Sequence, residues 1–274
     1  MSKIKENFNV MEENNARLAV LIDADNTSAQ TIRAILEEIT KFGEATVKRI
    51  YGNFVGDNGK WKVAINEHAI KPMQQFVYTK GKNATDGFMI IDAMDLLYTN
   101  RFDGFCIVSS DSDFAALAIR LKEQGVTVYG FGKMQTPEAF RNACSQFIYV
   151  ENLMPELTKK IERKAIDLIS VSGSKNINMQ VQTGKAKNNQ VNQIDSMNLP
   201  TKTIKKIFGQ FDSEWIHMGA FGSTWKRLQV DFDPRTYGCK KFTDLVKKYP
   251  DVFTYEMRKN IGSAKEQMYV KLNI

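Results

Sequence analysis

The sequence has few of the residues that build disulfides, zinc sites or histidine-dependent catalytic centres. Its 274 residues include only three cysteines and two histidines. The cysteines lie far apart, with no CxxC pair and no nearby histidine, so we expect reduced, structural thiols rather than a zinc site. Neither histidine stands beside a serine or cysteine nucleophile in a recognisable motif. This argues against nucleophilic catalysis by a histidine-activated group.

Long apolar runs are also missing. The chain contains no stretch of about 18 uncharged apolar residues, and residues 1–17 have no apolar core of the kind that a signal peptide needs. The composition, 43% hydrophobic and 25% charged, is normal for a protein with a buried core. These features predict a cytoplasmic protein with no membrane-spanning segment.

The net charge of +7 is distributed unevenly along the chain. Residues 1–150 carry 17 basic against 18 acidic side chains, and residues 151–198 carry seven against five. Residues 199–274 carry 14 basic against eight acidic side chains. Most of the positive excess therefore lies in the C-terminal third, where we expect the surface that binds a polyanion.

Residues 16–152 alternate short apolar runs with helix-period segments, a pattern typical of a doubly wound, mostly parallel sheet in a three-layer α/β domain. One buried helix face is indicated by Ile32, Ile35, Leu36 and Ile39. The predicted strands are Leu18–Ile22, Thr46–Tyr51, Gln75–Thr79, Phe105–Ser109, Val126–Phe131 and Phe147–Val150.

The remaining segments divide by composition. Residues 1–15 are expected to be a flexible N-terminus. Residues 153–198 begin as a charged helix and become rich in Asn, Gln, Ser, Gly and Lys, which predicts a flexible linker. Apolar periodicity returns in residues 199–274, where predicted helices precede a short hairpin. That order favours a small winged helix-turn-helix domain.

Acidic residues follow three of the predicted elements. Asp23, in LIDADN, ends an apolar strand, and Asp111 and Asp113, in VSSDSDF, follow another. Asp86, in KGKNATDGF, begins a helix soon after a third strand. Because ligands of open α/β sheets bind at the carboxyl ends of strands, we expect these carboxylates to share one pocket.

Carboxylates brought together repel one another unless a cation lies between them. Mg²⁺ or Mn²⁺ suits such a site, because these ions bind a few carboxylates and can align a water for attack on a phosphodiester. In this interpretation Asn26 orients a water or a substrate phosphate. Lys80 and Lys82 guide the polyanion toward the pocket.

Simpler roles compete with this interpretation, since aspartate is a favoured helix cap and turn residue. Asp25, Asp86 and Asp113 could each serve in that way, although capping does not require three acidic strand ends at once. Asp92, six residues beyond Asp86, is expected to be an outer or structural residue, and Asp95 a solvated surface charge.

The motifs LIDADNT, YTKGKNATDGFMIIDAMDLL and VSSDSDFAALAIRLKEQGVTVYGFG resemble the NYN domain of the LabA-like group, a branch of the PIN-like nuclease superfamily. The resemblance covers residues 16–151. It implies a PIN-like fold and a metal-dependent endoribonuclease. Carried over by position, it implies catalysis by Asp23, Asp86, Asp111 and Asp113, as metal ligands, together with Asn26.

The run WIHMGAFGSTWKRLQVDFDPRTYGCKKFTDLVKKYPDVF is similar to the LOTUS domain, also called OST-HTH, which binds RNA and proteins. The resemblance implies single-stranded or structured RNA as a partner, with a protein partner also open. Expected phosphate contacts are Arg235, Lys240, Lys241, Lys247 and Lys248. Trp215, Tyr237 and Phe242 either stack on bases or fill the core, and the core is favoured.

Two other functions stay open. Asp23-Ala-Asp25-Asn-Thr27 also fits the DxDxT pattern of haloacid-dehalogenase-type phosphohydrolases, in which the first aspartate is the nucleophile. An inactive nuclease fold that serves as an RNA-binding or scaffold module is the second alternative. The complete acidic set argues against it.

Overall fold

The computed structural model describes residues 15–55, 59–75, 84–154, 199–259 and 266–273. Lys80 and Lys82 lie outside these ranges, as do nearly all of the expected N-terminal and linker segments. Contacts divide the chain into two compact units, with the boundary between Phe131 and Gly132. Among the described residues, no helix is both long and apolar enough to cross a bilayer.

A six-stranded sheet dominates the first 150 residues, with strand order β3-β2-β1-β4-β5-β6. Its strands are β1 (Arg17–Asp23), β2 (Glu44–Gly52), β3 (Lys71–Gln74), β4 (Gly104–Val108), β5 (Thr127–Gly132) and β6 (Gln146–Tyr149). The accompanying helices are α1 (Ile32–Ile39), α2 (Lys60–Glu67), α3 (Ala84–Tyr98), α4 (Ala115–Glu123) and α5 (Glu138–Ala143). The predicted α/β fold class is confirmed.

The central strands explain why the sheet forms here. Leu18–Ile22 of β1 and all of β4 are buried, as expected of parallel strands covered on both faces. The two strands pair in parallel with each other. From this pair, β2 and β3 extend the sheet in one direction and β5 and β6 in the other. The carboxyl ends of β1 and β4 therefore form the switch point at which open sheets bind ligands.

One edge strand was not predicted. The structure forms β3 at Lys71–Gln74, and Gln75, the first residue of the strand predicted at Gln75–Thr79, does not belong to a strand. Residues 76–79 fall outside the described ranges. As an edge strand, β3 pairs only with β2 and includes Pro72, so no apolar run marks its position.

The C-terminal region has the predicted winged-helix order. Three helices, α6 (Thr201–Phe208), α7 (Met218–Leu228) and α8 (Phe242–Lys248), accompany an antiparallel sheet of β7 (Ile216–His217), β9 (Glu266–Leu272) and β8 (Phe253–Lys259). Trp225, Phe221 and Phe253 are fully buried in its core. The amphipathic face predicted for α6 is present, because Ile204 and Ile207 are buried and Phe208 packs against the same core.

Candidate metal centre

The candidate centre lies at the switch point and is built from three chain segments. β1 ends at Asp23, and the loop after β4 carries Asp111 and Asp113. Asp86 lies in the first turn of α3. The convergence expected from the sequence is therefore present, but the three segments contribute in different ways.

Asp23 is an internal anchor. It is fully buried, and one of its carboxylate oxygens accepts hydrogen bonds from the backbone N–H groups of Asp25 (3.0 Å) and Asn26 (3.3 Å). The other oxygen accepts from the Asn26 side-chain amide at 2.8 Å and from the Ser109 hydroxyl at 2.7 Å. Both oxygens are thus bound by the chain itself, and they hold the β1 turn against the end of β4.

Ser109 is a site residue that the sequence analysis missed. It is buried, and its hydroxyl donates to Asp23 while its Oγ accepts from the backbone N–H of Asp111 at 3.1 Å. Ser109 therefore connects the buried anchor to the carboxylate-bearing loop. The available signal was a polar residue directly after the apolar run of β4, which we had treated as part of the strand.

Asp111, rather than Asp113, is the helix cap in this loop. The Asp111 carboxylate accepts from the backbone N–H of Asp113 at 3.0 Å and caps a 3-10 turn over Ser112–Phe114. Phe114 is buried, which fixes the turn against the core. The cap leaves Asp111 partly buried and Asp113 exposed, so both can present oxygen to a shared point.

Three carboxylates meet at that point. Ligand oxygens of Asp86, Asp111 and Asp113 all lie within 4.8 Å of one another. Burial raises the pKa of Asp86 to about 6, and the charges of Asp23, Asp111, Asp113 and Asp25 add to the rise. The chemistry fits a hard divalent cation, because oxygen ligands of like charge are brought together at a cost that Mg²⁺ or Mn²⁺ would remove. Asp23 does not belong to this group.

Asp25 and Asn26 complete the turn after β1. Asp25 is exposed, and its pKa is raised by partial burial and by the Asp23 charge, although a hydrogen bond with Thr85 opposes the rise. Asn26 is held by its side-chain bond to Asp23. The next residue, Thr27, donates its hydroxyl to the Val108 carbonyl at 3.2 Å. The turn is therefore tied to both central strands.

Two aspartates further along α3 behave as the sequence suggested. Asp92 is buried and accepts hydrogen bonds from the Arg49 guanidinium and the Tyr51 hydroxyl of β2. Asp95 is exposed. Asp92 thus has a structural role in joining α3 to the sheet.

An open cleft of about 750 Å³ begins at Thr27, next to the turn that carries Asn26. It runs between the start of α1 and the face of α2. Its lining combines cationic, aromatic and small side chains, including Arg33, Lys60, Trp61, Ala64 and His68.

The basic residues expected to bind RNA fall into two groups. Lys240, Lys241 and Lys247 are exposed. Arg235 is held by the Asp233 carboxylate, with a closest nitrogen-to-oxygen distance of 2.6 Å. Lys248 donates to the Tyr237 carbonyl at 2.6 Å, which gives it a structural role at the end of α8.

The structure shows which of the three aromatic residues Trp215, Tyr237 and Phe242 belong to the C-terminal core. Tyr237 is buried in the C-terminal core, and Phe242 packs against that core. Trp215 is only partly buried and does not belong to the core cluster. The expected core role is therefore confirmed for Tyr237 and Phe242 but not for Trp215.

Residues 17–153 match the family model of the NYN domain. The chain belongs to the NYN family. Residues 195–263 match the OST-HTH/LOTUS domain, so the two-domain architecture implied by the resemblance is confirmed. The NYN domain contains the whole acidic centre and the cleft. Because NYN domains are PIN-like nucleases, the match supports a nuclease.

No curated protein matches the chain. A crystal structure of a protein of unknown function from Vibrio parahaemolyticus is 14% identical, with a TM-score of 0.44, and the match covers 52% of this chain and 96% of that one. A solution structure of an uncharacterised protein from Nitrosomonas europaea is 31% identical, with a TM-score of 0.28 and coverage of 35% and 93%.

Proposed function

We propose that the chain is a cytoplasmic endoribonuclease that depends on Mg²⁺ or Mn²⁺ and cleaves RNA at the centre formed by Asp86, Asp111 and Asp113. The observation that carries the proposal is the meeting of these three carboxylates at the switch point of an NYN domain. A bound ion would supply charge stabilisation at the scissile phosphate and an activated water.

The residues of the site have different roles in the proposed reaction. Asp86, Asp111 and Asp113 would hold the ion, because their clustered negative charge favours a cation at this position. Asp23 orients Asn26 directly and, through Ser109, the backbone of Asp111. The Asn26 amide is thereby positioned to orient substrate or water. Asp23 is a catalytic candidate only in this positioning sense.

The RNA strand needs a path to a pocket that is itself acidic. The cleft beside Thr27 is proposed as this path, because Arg33 and Lys60 lie in its walls, together with Glu67. Lys80 and Lys82 are proposed to assist on approach. The OST-HTH/LOTUS domain supplies further affinity through Lys240, Lys241 and Lys247, and a protein partner on that domain stays an alternative.

The phosphohydrolase alternative is disfavoured by the environment of Asp23. A nucleophilic carboxylate must present an oxygen to the substrate phosphorus. Asp23 is fully buried and both of its oxygens accept hydrogen bonds from the chain. The scaffold alternative predicts an acidic cluster without turnover, so it is tested by the cleavage experiment below.

The test is cleavage of labelled single-stranded RNA by the full chain after metal removal and stepwise return of Mg²⁺ or Mn²⁺. Asp111→Asn is the informative variant, because asparagine caps a helix as well as aspartate does but lacks the charge. We expect about a 100-fold or greater loss of rate with RNA affinity retained. Asp95→Asn, on exposed α3 surface, is the control. Cleavage that persists in chelator, or an unchanged rate in Asp111→Asn, would contradict the proposal.

A further inference from the structure

The outer face of the C-terminal sheet carries a cluster of rings and a guanidinium. Alternation along the strands places Ile216, Met268 and Val270 in the core. The residues between them point outward, so His217 of β7 and Tyr269 of β9 are direct neighbours across the sheet. Glu256 of β8 lies on the other side of Tyr269. We refer to Trp215, His217, Arg258 and Tyr269 as the wing platform.

The wing platform is organised by ring contacts. The Arg258 guanidinium carbon lies 4.5 Å from the centre of the Tyr269 ring and 5.3 Å from the centre of the Trp215 ring. The His217 and Tyr269 rings meet edge to face, with centroids 5.4 Å apart. Glu256 pairs with the Arg258 guanidinium and holds it in place. The Arg258 guanidinium therefore lies over the Tyr269 and Trp215 rings, and the His217 ring meets Tyr269 edge to face.

The platform is accessible. The Arg258 side chain is 40% exposed, His217 is exposed, and Trp215 and Tyr269 are partly exposed. None of the four belongs to the C-terminal core cluster. A cation–π contact alone could stabilise the hairpin at an exposed site by about 0.5–1 kcal/mol. Such contacts account for Arg258 over Tyr269 and Trp215, and His217 caps α7 by accepting a hydrogen bond from the Gly219 backbone N–H at 3.2 Å. Neither role requires these groups to stay accessible to solvent.

The charges on this face indicate which kind of chemical group it can bind. Among the described residues of this face, Arg258 is paired with Glu256 and Lys271 with Glu214. The face is thus poorly suited to neutralise phosphates, whereas its rings and guanidinium plane are suited to stack on flat groups. Unpaired RNA bases are recognised by stacking on aromatic rings and arginine planes. The surrounding domain, with 14 basic against eight acidic residues, attracts the polyanion that carries such bases.

We propose that the wing platform binds unpaired bases of single-stranded RNA by stacking on the Arg258 guanidinium and on the Trp215 and Tyr269 rings that support it. The inference rests on the RNA substrate of the proposed function and adds to it a preference for single strands. Bases in a duplex are stacked on one another, so their faces are hidden from the platform. The contribution of the platform is therefore specific to single strands and nearly independent of salt, unlike that of the lysines.

The experiment measures the affinity of the full chain for a fluorescent single-stranded RNA and for the matching duplex, in chelator, over a series of salt concentrations. Each of Trp215→Ala and Tyr269→Ala should weaken single-strand binding by roughly 5-fold to 100-fold. The salt dependence and the duplex affinity should stay as in the unmodified chain. Tyr269→Phe keeps the ring and should bind as the unmodified chain does, while the unchanged duplex affinity of the alanine variants shows that they remain folded.

Tyr98→Ala is the matched control, because Tyr98 is an exposed tyrosine that also contacts an arginine, Arg120, but lies on α3. Since binding is measured without metal, a failure of catalysis would not affect the result. The proposal would be overturned if both alanine variants bound single-stranded RNA within twofold of the unmodified chain. That result would favour a protein partner for this face. An equal loss on duplex RNA would also overturn it, because stacking on unpaired bases would not be the cause.

Discussion

Asp86 is the residue whose electrostatic environment is most informative. Partial burial and four neighbouring aspartates raise its pKa from 3.8 to about 6 in the metal-free protein. A carboxyl with a raised pKa in the folded state favours folding below about pH 4, and this contribution is lost as pH rises through about 6. Ionised Asp86 therefore destabilises the metal-free protein at neutral pH. Such a cost is expected of a site kept for binding rather than for stability.

Asp86→Asn should remove that cost. We expect the free energy of unfolding of the metal-free protein to rise by about 1 kcal/mol near pH 7.5, a value reduced for solvent screening because the carboxyl is only partly buried. The gain should vanish below about pH 4. Chemical denaturation at several pH values measures it, with Asp95→Asn as control. Mn²⁺ should stabilise the unmodified chain more than the variant, and a variant less stable than the unmodified chain at pH 7.5 would contradict this account.

At the scale of elements, a partly buried ion pair holds α3 against the sheet. Asp92 joins the helix to β2 through Arg49 and Tyr51, and the first turn of the same helix carries Asp86. Burial and the Asp92 carboxylate also raise the pKa of Tyr51, so the hydroxyl stays a donor. The network thus holds one of the three ligand-bearing segments against the sheet.

Asp92→Ala should cost about 2 kcal/mol of unfolding free energy, because the buried Tyr51 hydroxyl and the partly buried Arg49 charge would lose their acceptor. Asp95→Ala, three residues away on the same helix, should cost less than about 0.5 kcal/mol. Thermal or denaturant unfolding of the two variants tests the contrast. Equal effects would mean that the network does not anchor α3.

Sequence patterns predicted the elements that have a strong apolar signal and missed those that do not. β1 and β4 were found because a strand buried on both faces reads as a continuous apolar run. β3 was not found, because an edge strand needs little apolar character. Convergence of the acidic segments followed from topology. The separate roles of Asp23 and Asp111 could not be predicted, because they depend on hydrogen bonds made through Ser109.

At the scale of the whole molecule, the second compact unit joins residues 132–154 to the C-terminal domain. Asp231 accepts hydrogen bonds from Arg141 and, at 2.5 Å, from the Tyr149 hydroxyl. The Phe147 backbone N–H donates to the Val230 carbonyl at 2.9 Å. Deleting residues 199–274 would leave Arg141 without its carboxylate partner. Point variants are therefore a cleaner test of the division of labour between the domains.

Lys240→Ala and Lys247→Ala remove exposed charges and should weaken RNA binding. For each lysine, the slope of the logarithm of the binding constant against the logarithm of the salt concentration should become shallower by about one. The KM for long RNA should rise, while the rate at saturating RNA stays nearly constant. A salt series with Lys62→Ala, an exposed lysine of α2, as control measures the effect. Lys248 is unsuitable, since its ammonium group bonds to Tyr237. Unchanged slopes would mean that α8 is not the RNA surface.

The central claim is that a divalent ion held by Asp86, Asp111 and Asp113 acts on the scissile phosphate. Its most direct test is the cleavage rate of RNA in which sulfur replaces a non-bridging oxygen of that phosphate. A hard ion such as Mg²⁺ binds sulfur poorly, whereas Mn²⁺ accepts it more readily. We predict that one of the two sulfur positions slows cleavage strongly in Mg²⁺ and that Mn²⁺ restores much of the rate. Cleavage of the modified RNA at the same rate in Mg²⁺, Mn²⁺ and chelator would contradict the claim.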